Sequence, residues 1–192
     1  MARIVLVRHG PVTLRERRWI TAAQVKEWVV AYDDAGLSHA ESAPAAVRAM
    51  AADSGALVAS PLRRSTQSAA RLAPGREVLV DAVFAEAGLP VPAWSMLTMP
   101  IPAWGVLLRA GWYLGWSAGG ESRRCVLARA GRAADLLQQL SDRHGSVMHV
   151  GHGILLAHIA SHLLARGWRT TNRPIAGNWS MRVFKDAPDF GG

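Results

Sequence analysis

Short apolar segments alternate along this chain with longer segments of helical periodicity, and this alternation limits the possible folds more than any other feature of the sequence. Five apolar segments predict strands, at residues 4–7, 56–59, 78–80, 147–150 and 179–184. Four segments of helical periodicity predict helices, at residues 22–35, 64–72, 122–140 and 154–165. Strands joined through a helix run parallel, because the helix carries the chain back to the edge of the sheet where the first strand began. The sequence therefore predicts an α/β fold with three layers, α/β/α, around a mostly parallel central sheet.

Length and composition are typical of one globular domain. The chain has 192 residues, of which 50% are hydrophobic and 19% are charged. We predict a single domain over residues 1–192, with a tryptophan-rich, cap-like insertion at about 89–120. The single cysteine, Cys125, excludes an internal disulfide, and the first apolar segment is too short for a signal peptide. These features predict a cytoplasmic protein.

The charge balance favours an anionic partner. The formal net charge is +8, and arginine carries nearly all of the positive charge, because Lys26 and Lys185 are the only lysines. The arginines are scattered, and aromatic residues do not alternate with them as they do in grooves for single-stranded nucleic acid. We therefore expect a phosphorylated small molecule or a phosphoprotein as the partner. Nucleic acid is not expected, since that alternative rests on net charge alone.

The insertion at about 89–120 contains four of the eight tryptophans, Trp94, Trp104, Trp112 and Trp116. The last three recur with Leu108 at helical spacing, which favours a helix that packs its aromatic side into the core. The alternative is a cap beside a site, which would shape a pocket or pack against a second subunit, as in a homodimer, or against a membrane surface. Four prolines and Arg109 interrupt the apolar stretch, so no transmembrane helix is predicted.

Charged and polar side chains follow the predicted strands at the point where each strand ends. Arg8 and His9 follow the first strand, Arg64 the second, Glu86 the third and His152 the fourth. The carboxyl ends of parallel strands meet at one edge of a sheet, where ligands bind in such folds. Arginine matches phosphate oxygens with paired donors, histidine is a neutral nucleophile near neutral pH, and a carboxyl group protonates a departing alkoxide. The sequence therefore predicts a site for chemistry on phosphate.

Three motifs in this order resemble those of the histidine phosphatase superfamily. They are "LVRHG" at residues 6–10, Ser-x-Leu-x-Arg-x-x-Gln at residues 60–67 and "VGHG" at residues 150–153. The resemblance extends from residue 3 to about residue 184. It implies a phosphoglycerate mutase-like fold, a place in the small phosphatase branch, and a metal-independent phosphomonoester hydrolase with no cofactor.

The resemblance also implies a role for each motif residue. His9 would be the nucleophile that forms a phosphohistidine intermediate, and Arg8 would bind the phosphoryl oxygens beside it. The register of the second motif assigns the other phosphate-binding arginine to Arg64 and leaves Arg63 in solvent. His152 would be the second histidine of the pocket and would stabilise the charge of the transition state.

The proton donor stays open between two carboxylates. One branch of the superfamily has an aspartate directly after the second histidine, whereas this chain has Gly153 there. The donor should therefore come from earlier in the chain. Glu86, which follows the third predicted strand, is the first candidate, and Asp81 is the second.

The residues after the first motif depart from the pattern of the superfamily. Its members commonly continue with an acidic residue and later an asparagine that contacts phosphate, but this chain continues "PVTLRERRW" at residues 11–19. Thr13 or Arg15 is a candidate replacement for the missing contact. The departure weakens the alternative of a phosphomutase and leaves open a catalytically weak protein that binds a phosphorylated ligand.

A metal site is not predicted. His158 and His162 lie four residues apart on a predicted helix, which is the spacing of a zinc-binding pair. The segment "HIASH" lacks the glutamate of that motif, and no cysteine or acidic cluster lies near it in the sequence.

Overall fold

The computed structural model describes residues 2–14, 19–38, 42–91, 97–117 and 120–186. In these residues the strands are β1 (Arg3–Arg8), β2 (Ile20–Thr21), β3 (Ala56–Ala59), β4 (Leu79–Val80), β5 (Thr98–Met99), β6 (Ser146–Gly151) and β7 (Met181–Lys185). The helices are α1 (Ala22–Asp34), α2 (Ala45–Ala52), α3 (Arg63–Leu72), α4 (Ile101–Tyr113), α5 (Arg123–His144) and α6 (Gly153–Ala165). A short 3₁₀ helix, Ala82–Phe84, follows β4.

The central sheet has five strands in the order β4-β3-β6-β1-β7. β1, β3, β4 and β6 are parallel, and β7 is antiparallel to β1. Val150 of β6 pairs with Val7 of β1 on one side and with Ala59 of β3 on the other. This register brings the carboxyl ends of β1, β3 and β6 to the same level, so the residues that follow these three strands emerge side by side.

Helices cover both faces of the sheet. Along β1 the side chains alternate in their packing: Ile4 and Leu6 belong to the core under α5 and α6, whereas Val5 and Val7 belong to the core under α2 and α3. All four side chains are fully buried, as expected of a central strand with helices on both sides. The predicted α/β fold with a mostly parallel sheet is confirmed.

All the predicted strands and helices form, with ends that differ from the prediction by up to four residues. The sequence patterns did not predict α2 or the two-residue strands β2 and β5. α2 buries only Val47 and Ala51, so its apolar pattern is too sparse to stand out from the alanine-rich sequence around it. β2 and β5 pair with each other in a separate antiparallel sheet, which depends on a contact distant in sequence.

The tryptophan-rich segment forms α4, whose inner side is buried as predicted. Trp104 and Leu108 pack with Val25 of α1, whereas Trp112 belongs to the core beneath α5 and α6. Trp116 does not continue this row, because α4 ends at Tyr113 and Gly115 adopts a φ of 98°. Trp116 is 37% exposed, so its predicted place in the buried row was wrong. Trp94 lies outside the described residues.

No helix of the described ranges combines the length and the apolar character needed to cross a membrane.

Candidate active site

The predicted site residues emerge where the central strands end. His9 directly follows β1, and its backbone N–H donates to the carbonyl of Gly151 at the end of β6 (3.0 Å). His152 directly follows β6, and the ring centroids of His9 and His152 lie 5.1 Å apart. Arg64 is the second residue of α3, which begins shortly after β3. The strand register therefore brings together groups that are more than fifty residues apart in sequence.

The ring of His9 is buried, with a defined tautomer. Its Nδ1 lies 2.7 Å from the carbonyl oxygen of Gly10. A carbonyl only accepts hydrogen bonds, so Nδ1 carries the proton and Nε2 keeps its lone pair. Burial lowers the pKa of His9 to about 4 against the opposing effect of the Gly10 carbonyl, and the charges of Arg64 and Arg8 lower it further. His9 is therefore a neutral imidazole with a free electron pair at pH 7.

His152 is held by two serine hydroxyl groups. Its Nε2 lies 2.7 Å from Oγ of Ser60 and 3.2 Å from Oγ of Ser65, and both serines are buried. Burial lowers the pKa of His152, and repulsion by the charges of Arg64 and Arg8, and by His9 and His149 when they are protonated, lowers it further. Its Nδ1 is buried and has no hydrogen-bond partner among the described residues. When a serine hydroxyl donates to Nε2, Nδ1 carries a proton that is available to a ligand.

Arg64 is almost completely buried and is held by the carboxyl end of α1. Its Nη1 donates to the carbonyl oxygen of Tyr32 (2.9 Å), and its Nη2 pairs with the carboxylate of Asp33 (3.0 Å). Its guanidinium also lies over the ring of Tyr32, 4.5 Å from the centroid. The last carbonyls of a helix lack partners within the helix, so a cation is favourable there. Nε of Arg64 is buried and has no partner among the described residues, so the guanidinium keeps a donor for a ligand.

The other motif arginines differ from Arg64. Arg63 is exposed, as the motif register predicted. Arg8 is half-buried, and its Nη1 donates to the carbonyl of Ala176 in the segment before β7. Its Nε is buried without a hydrogen-bond partner in the described ranges.

The two candidate proton donors have different surroundings. The Glu86 carboxylate is half-buried at the amino end of α6, where it accepts hydrogen bonds from the backbone N–H groups of Leu155 (3.1 Å) and Ile154 (3.4 Å). Burial raises the pKa of Glu86, although those hydrogen bonds and the charge of Arg64 oppose the rise. Asp81 is exposed, and its carboxylate instead caps the 3₁₀ helix by accepting from the N–H of Val83 (2.8 Å). Glu86 alone of the two lies beside the backbone that carries His152.

Thr13, one candidate for the missing phosphate contact, is not bonded to the histidines. Among the described hydrogen bonds, none joins the Thr13 side chain to His9 or His152. Thr13 is exposed, and its backbone N–H donates to the carbonyl of Gly36. Arg15, the other candidate for the missing phosphate contact, lies outside the described residues.

Several groups around His9 had no role in the sequence prediction. Ser68 accepts from the N–H of Gly10 (3.0 Å) and donates to the carbonyl of Arg64 (2.6 Å), which joins the loop after β1 to α3. Asn178 donates from Nδ2 to the carbonyl of His9 (2.9 Å). The ring of Trp179 lies against Gly10, where an added Cβ would come within 2.3 Å of the ring. The one sequence signal for these two residues was their position at the start of the last predicted strand, which Trp179 begins and Asn178 directly precedes.

No group of three or more histidine, cysteine, aspartate or glutamate side chains is placed to bind a metal ion in the part of the chain that the structure describes. His162, one of the two histidines considered for a metal, lies 3.1 Å through its Nε2 from the carbonyl of Leu127.

Together, the fold and this site define an α/β protein with two neutral histidines and two arginines at the carboxyl edge of a parallel sheet. Residues 4–189 match the family described as the histidine phosphatase superfamily, branch 1. The chain belongs to this superfamily, which confirms the resemblance seen in the three motifs.

Solved structures of similar fold include phosphatases. A mycobacterial glucosyl-3-phosphoglycerate phosphatase in complex with VO3 is 24% identical, with 95% of this chain and 92% of that chain covered and a TM-score of 0.60. A mutant phosphoserine phosphatase from Entamoeba histolytica in complex with phosphoserine is 17% identical, with 95% and 90% covered and a TM-score of 0.58. YhfR from Bacillus stearothermophilus is 19% identical, with 97% and 96% covered and a TM-score of 0.58. A comparison with curated proteins gave no match.

Proposed function

We propose that this protein is a metal-independent phosphomonoester hydrolase that works through a phosphohistidine intermediate on His9. The observation that carries this proposal is the state of the His9 ring. Its Nδ1 is committed to the Gly10 carbonyl, and its pKa of about 4 leaves Nε2 unprotonated at neutral pH. A buried, neutral and oriented imidazole is ready to act as a nucleophile without a separate base.

Unpartnered donors beside His9 support the binding of an oxyanion. Nδ1 of His152, Nε of Arg64 and Nε of Arg8 are buried without hydrogen bonds in the described ranges. Buried donors without partners are costly, and a phosphoryl group would supply the missing acceptors. The charges of Arg8 and Arg64 lower the pKa of both histidines, so the positive potential is concentrated where the phosphoryl group would lie.

The reaction then proceeds in two steps. Nε2 of His9 attacks phosphorus, the P–N bond forms and the P–O bond to the leaving group breaks, while the Glu86 carboxyl gives its proton to the leaving oxygen. In the second step a water molecule attacks phosphorus and gives a proton to the Glu86 carboxylate. The P–N bond breaks, and inorganic phosphate leaves with His9 neutral again. The raised pKa of Glu86 favours the protonated form that the first step needs.

The substrate class that we propose is a phosphorylated small molecule, with a phosphoprotein as the alternative within the same chemistry. The two similar phosphatases are named for glucosyl-3-phosphoglycerate and phosphoserine, which are phosphomonoesters with polar leaving groups. Both compounds belong in the first panel of substrates.

The test is hydrolysis of a panel of phosphomonoesters by the wild type and His9→Ala, with a chelator present throughout. We expect release of inorganic phosphate by the wild type, together with acid-labile phosphate on the protein after rapid quenching, and neither with His9→Ala. His144→Ala is the matched control, because His144 is an exposed histidine at the end of α5. Full activity of His9→Ala would overturn the proposal. Transfer of phosphate between positions of a substrate without its release would identify a phosphomutase instead.

A further inference from the structure

The Glu86 carboxyl lies on a segment without regular secondary structure. The 3₁₀ helix ends at Phe84, and residues 85–91 form neither helix nor strand. A general acid must hold its carboxyl group within a fraction of an ångström of the productive position, and an irregular segment does not ensure this by itself. Some other part of the molecule must fix the backbone that carries Glu86.

Arg129 of α5 provides this support. Its guanidinium donates to the carbonyl oxygen of Val83 in the 3₁₀ helix (3.2 Å) and to two carbonyl oxygens of the segment, those of Ala85 and, at a longer distance, Glu86 (3.4 Å). One side chain thus binds the backbone carbonyl of Glu86, that of the residue just before it and that of Val83, three residues before it. Arginine suits this task because its donors are arranged in a fixed planar fork.

Glu121 holds Arg129 in place through a two-point ion pair. Its Oε1 accepts from Nε of Arg129 (3.0 Å) and its Oε2 from Nη2 (2.5 Å). The side chains of Arg129 and Glu121 are 12% and 28% exposed, so solvent screens the pair only in part. Bidentate pairing fixes the plane of the guanidinium and therefore the direction of its other donors.

The backbone of Glu121 contacts the same segment and α4. Its N–H donates to the carbonyl of Gly88 (3.0 Å), and its carbonyl accepts from Nε1 of Trp112 (2.7 Å). Gly120 approaches so closely that an added Cβ would lie 2.6 Å from the carbonyl oxygen of Gly88. The Glu86 segment is thus tied to the Arg129–Glu121 pair, and the backbone of Glu121 connects it to Trp112 on the buried side of α4.

We propose that Arg129, oriented by Glu121, is a positioning residue that sets the place of the Glu86 carboxyl relative to the leaving oxygen. The inference rests on the proposed function, in which Glu86 is the proton donor. None of the described contacts of Arg129 reaches His9 or His152, so it acts through the backbone that carries Glu86. The consequence for the first step is selective, since only esters whose leaving group needs a proton depend there on a well-placed donor.

The test compares two esters with Arg129→Lys, Arg129→Gln and Glu121→Gln. A p-nitrophenyl ester has a leaving group that departs without protonation, whereas an alkyl ester releases an alkoxide that needs the proton. General acid catalysis contributes about 10²–10⁴-fold, and a misplaced donor should forfeit part of this. We compare kcat/KM, which reports the steps up to departure of the leaving group and leaves out the later attack of water, in which Glu86 acts on both esters alike. We expect kcat/KM for the alkyl ester to fall by about 10-fold or more, and kcat/KM for the p-nitrophenyl ester to change by less than about 3-fold.

Arg132→Lys and Arg132→Gln are the matched controls, because Arg132 is an exposed arginine on the same helix. They should leave both esters unchanged. If Arg129→Gln does not fold, Arg129→Lys and Glu121→Gln still test the inference, and circular dichroism establishes that each is folded. A folded variant that lowers kcat/KM for both esters equally, or for neither, would overturn the inference.

Glu86→Gln separates failure of this inference from failure of the proposed function. If Glu86 is the donor, Glu86→Gln should show the same selective loss on the alkyl ester, at least as large as that of the Arg129 variants. If Glu86→Gln lowers kcat/KM for both esters equally, the proposed role of Glu86 as proton donor is wrong and the inference falls with it. If Glu86→Gln is selective and the Arg129 variants are not, only the inference is wrong.

Discussion

The floor and the wall of the candidate site are built in different ways. The floor consists of His9, Arg64 and His152, which follow central strands whose register is fixed by the sheet. The wall consists of Asp33, at the end of α1, and Trp179, in the segment before β7. The floor offers neutral rings and a cation for an anion, whereas the wall supplies a carboxylate and close packing. The sheet thus places the groups of the floor, whereas the groups of the wall come from the end of a helix and from a segment without regular structure.

The largest expected effect is on the floor, at His152. We expect His152→Ala to lower kcat by about 10²–10³-fold, the typical loss for one donor to a developing oxyanion. Ser65→Ala should cost less, because Ser60 still holds Nε2 of the ring (2.7 Å). Steady-state kinetics with one phosphomonoester measures both losses. A larger loss for Ser65→Ala than for His152→Ala would show that the ring is not the working group.

The second largest effect is expected at Gly10, where the loop after β1 contacts Trp179 of the wall. An added Cβ at this position would lie 2.3 Å from the ring of Trp179 and 2.6 Å from Leu37, so Gly10→Ala should cost about 1–3 kcal/mol in the free energy of unfolding. It should also displace His9, its neighbour, and lower kcat. Urea unfolding measures the stability. Gly75→Ala is unsuitable as a control, because Gly75 has a φ of 77°, at which an alanine would itself be strained. Gly177→Ala, where the space around an added Cβ is open, is the suitable control.

The double variant Gly10→Ala/Trp179→Leu sharpens this second prediction. Removing the ring should recover part of the stability lost in Gly10→Ala, since the two residues are in contact and their effects are coupled. Strictly additive losses would contradict a steric conflict between the two positions.

A smaller effect concerns the pH dependence of stability. The pKa values of His9 and His149 are lowered from 6.5 to about 4 and about 3, mainly by burial. The unfolded chain therefore binds more protons than the folded chain below about pH 6.5, and the free energy of unfolding falls as the pH falls from there toward 4. The raised pKa of Glu86 acts in the opposite direction near the acid end of this range and offsets part of the loss.

His149→Leu isolates one of these groups. His149 is fully buried within β6, with its ring centroid 4.3 Å from that of Phe84, and a leucine there takes up no proton. The slope of the free energy of unfolding against pH should fall by up to ~1.4 kcal/mol per pH unit between pH 6 and 4.5. Urea unfolding at several pH values measures this slope, and an unchanged slope would show that His149 does not contribute.

The smallest expected effect is on the wall, at Asp33. Its carboxylate pairs with Arg64 at 3.0 Å but is 47% exposed, so the pair is worth about 1 kcal/mol or less. Asp33→Asn should free Arg64 for phosphate and lower the inhibition constant of inorganic phosphate by up to ~5-fold. Asp34→Asn, on the neighbouring exposed residue, is the control. Weaker inhibition in Asp33→Asn would mean that Asp33 holds Arg64 in its binding position.

The floor could be predicted from the sequence because its signals are local. A short apolar segment predicts a strand and the place where it ends. The residues just after that place can then be read from the sequence, as for His9 after β1 and His152 after β6. The register from Ser60 to Gln67 likewise distinguished buried Arg64 from exposed Arg63. Parallel pairing then needs only the rule that crossover helices join such strands.

The wall could not be predicted in the same way because it depends on contacts distant in sequence. Nothing around Asp33 indicates that its partner lies thirty-one residues further along the chain. The place of Trp179 follows from β7 being antiparallel to β1, which brings the start of the last strand to the carboxyl end of the first. The local sequence of β7 does not specify that direction.

The pairing of β1 has a consequence for the order in which the protein folds during synthesis. β1 is the first of the seven strands to leave the ribosome, yet its two neighbours in the sheet, β6 and β7, are the last two. At about 5–20 residues per second, β1 must remain unpaired for on the order of ten seconds, with an apolar strand exposed to other chains. The loop that follows it, with His9, gains the Asn178 contact only near the end of synthesis. A growing chain therefore has no complete site until nearly all of the described residues have been made.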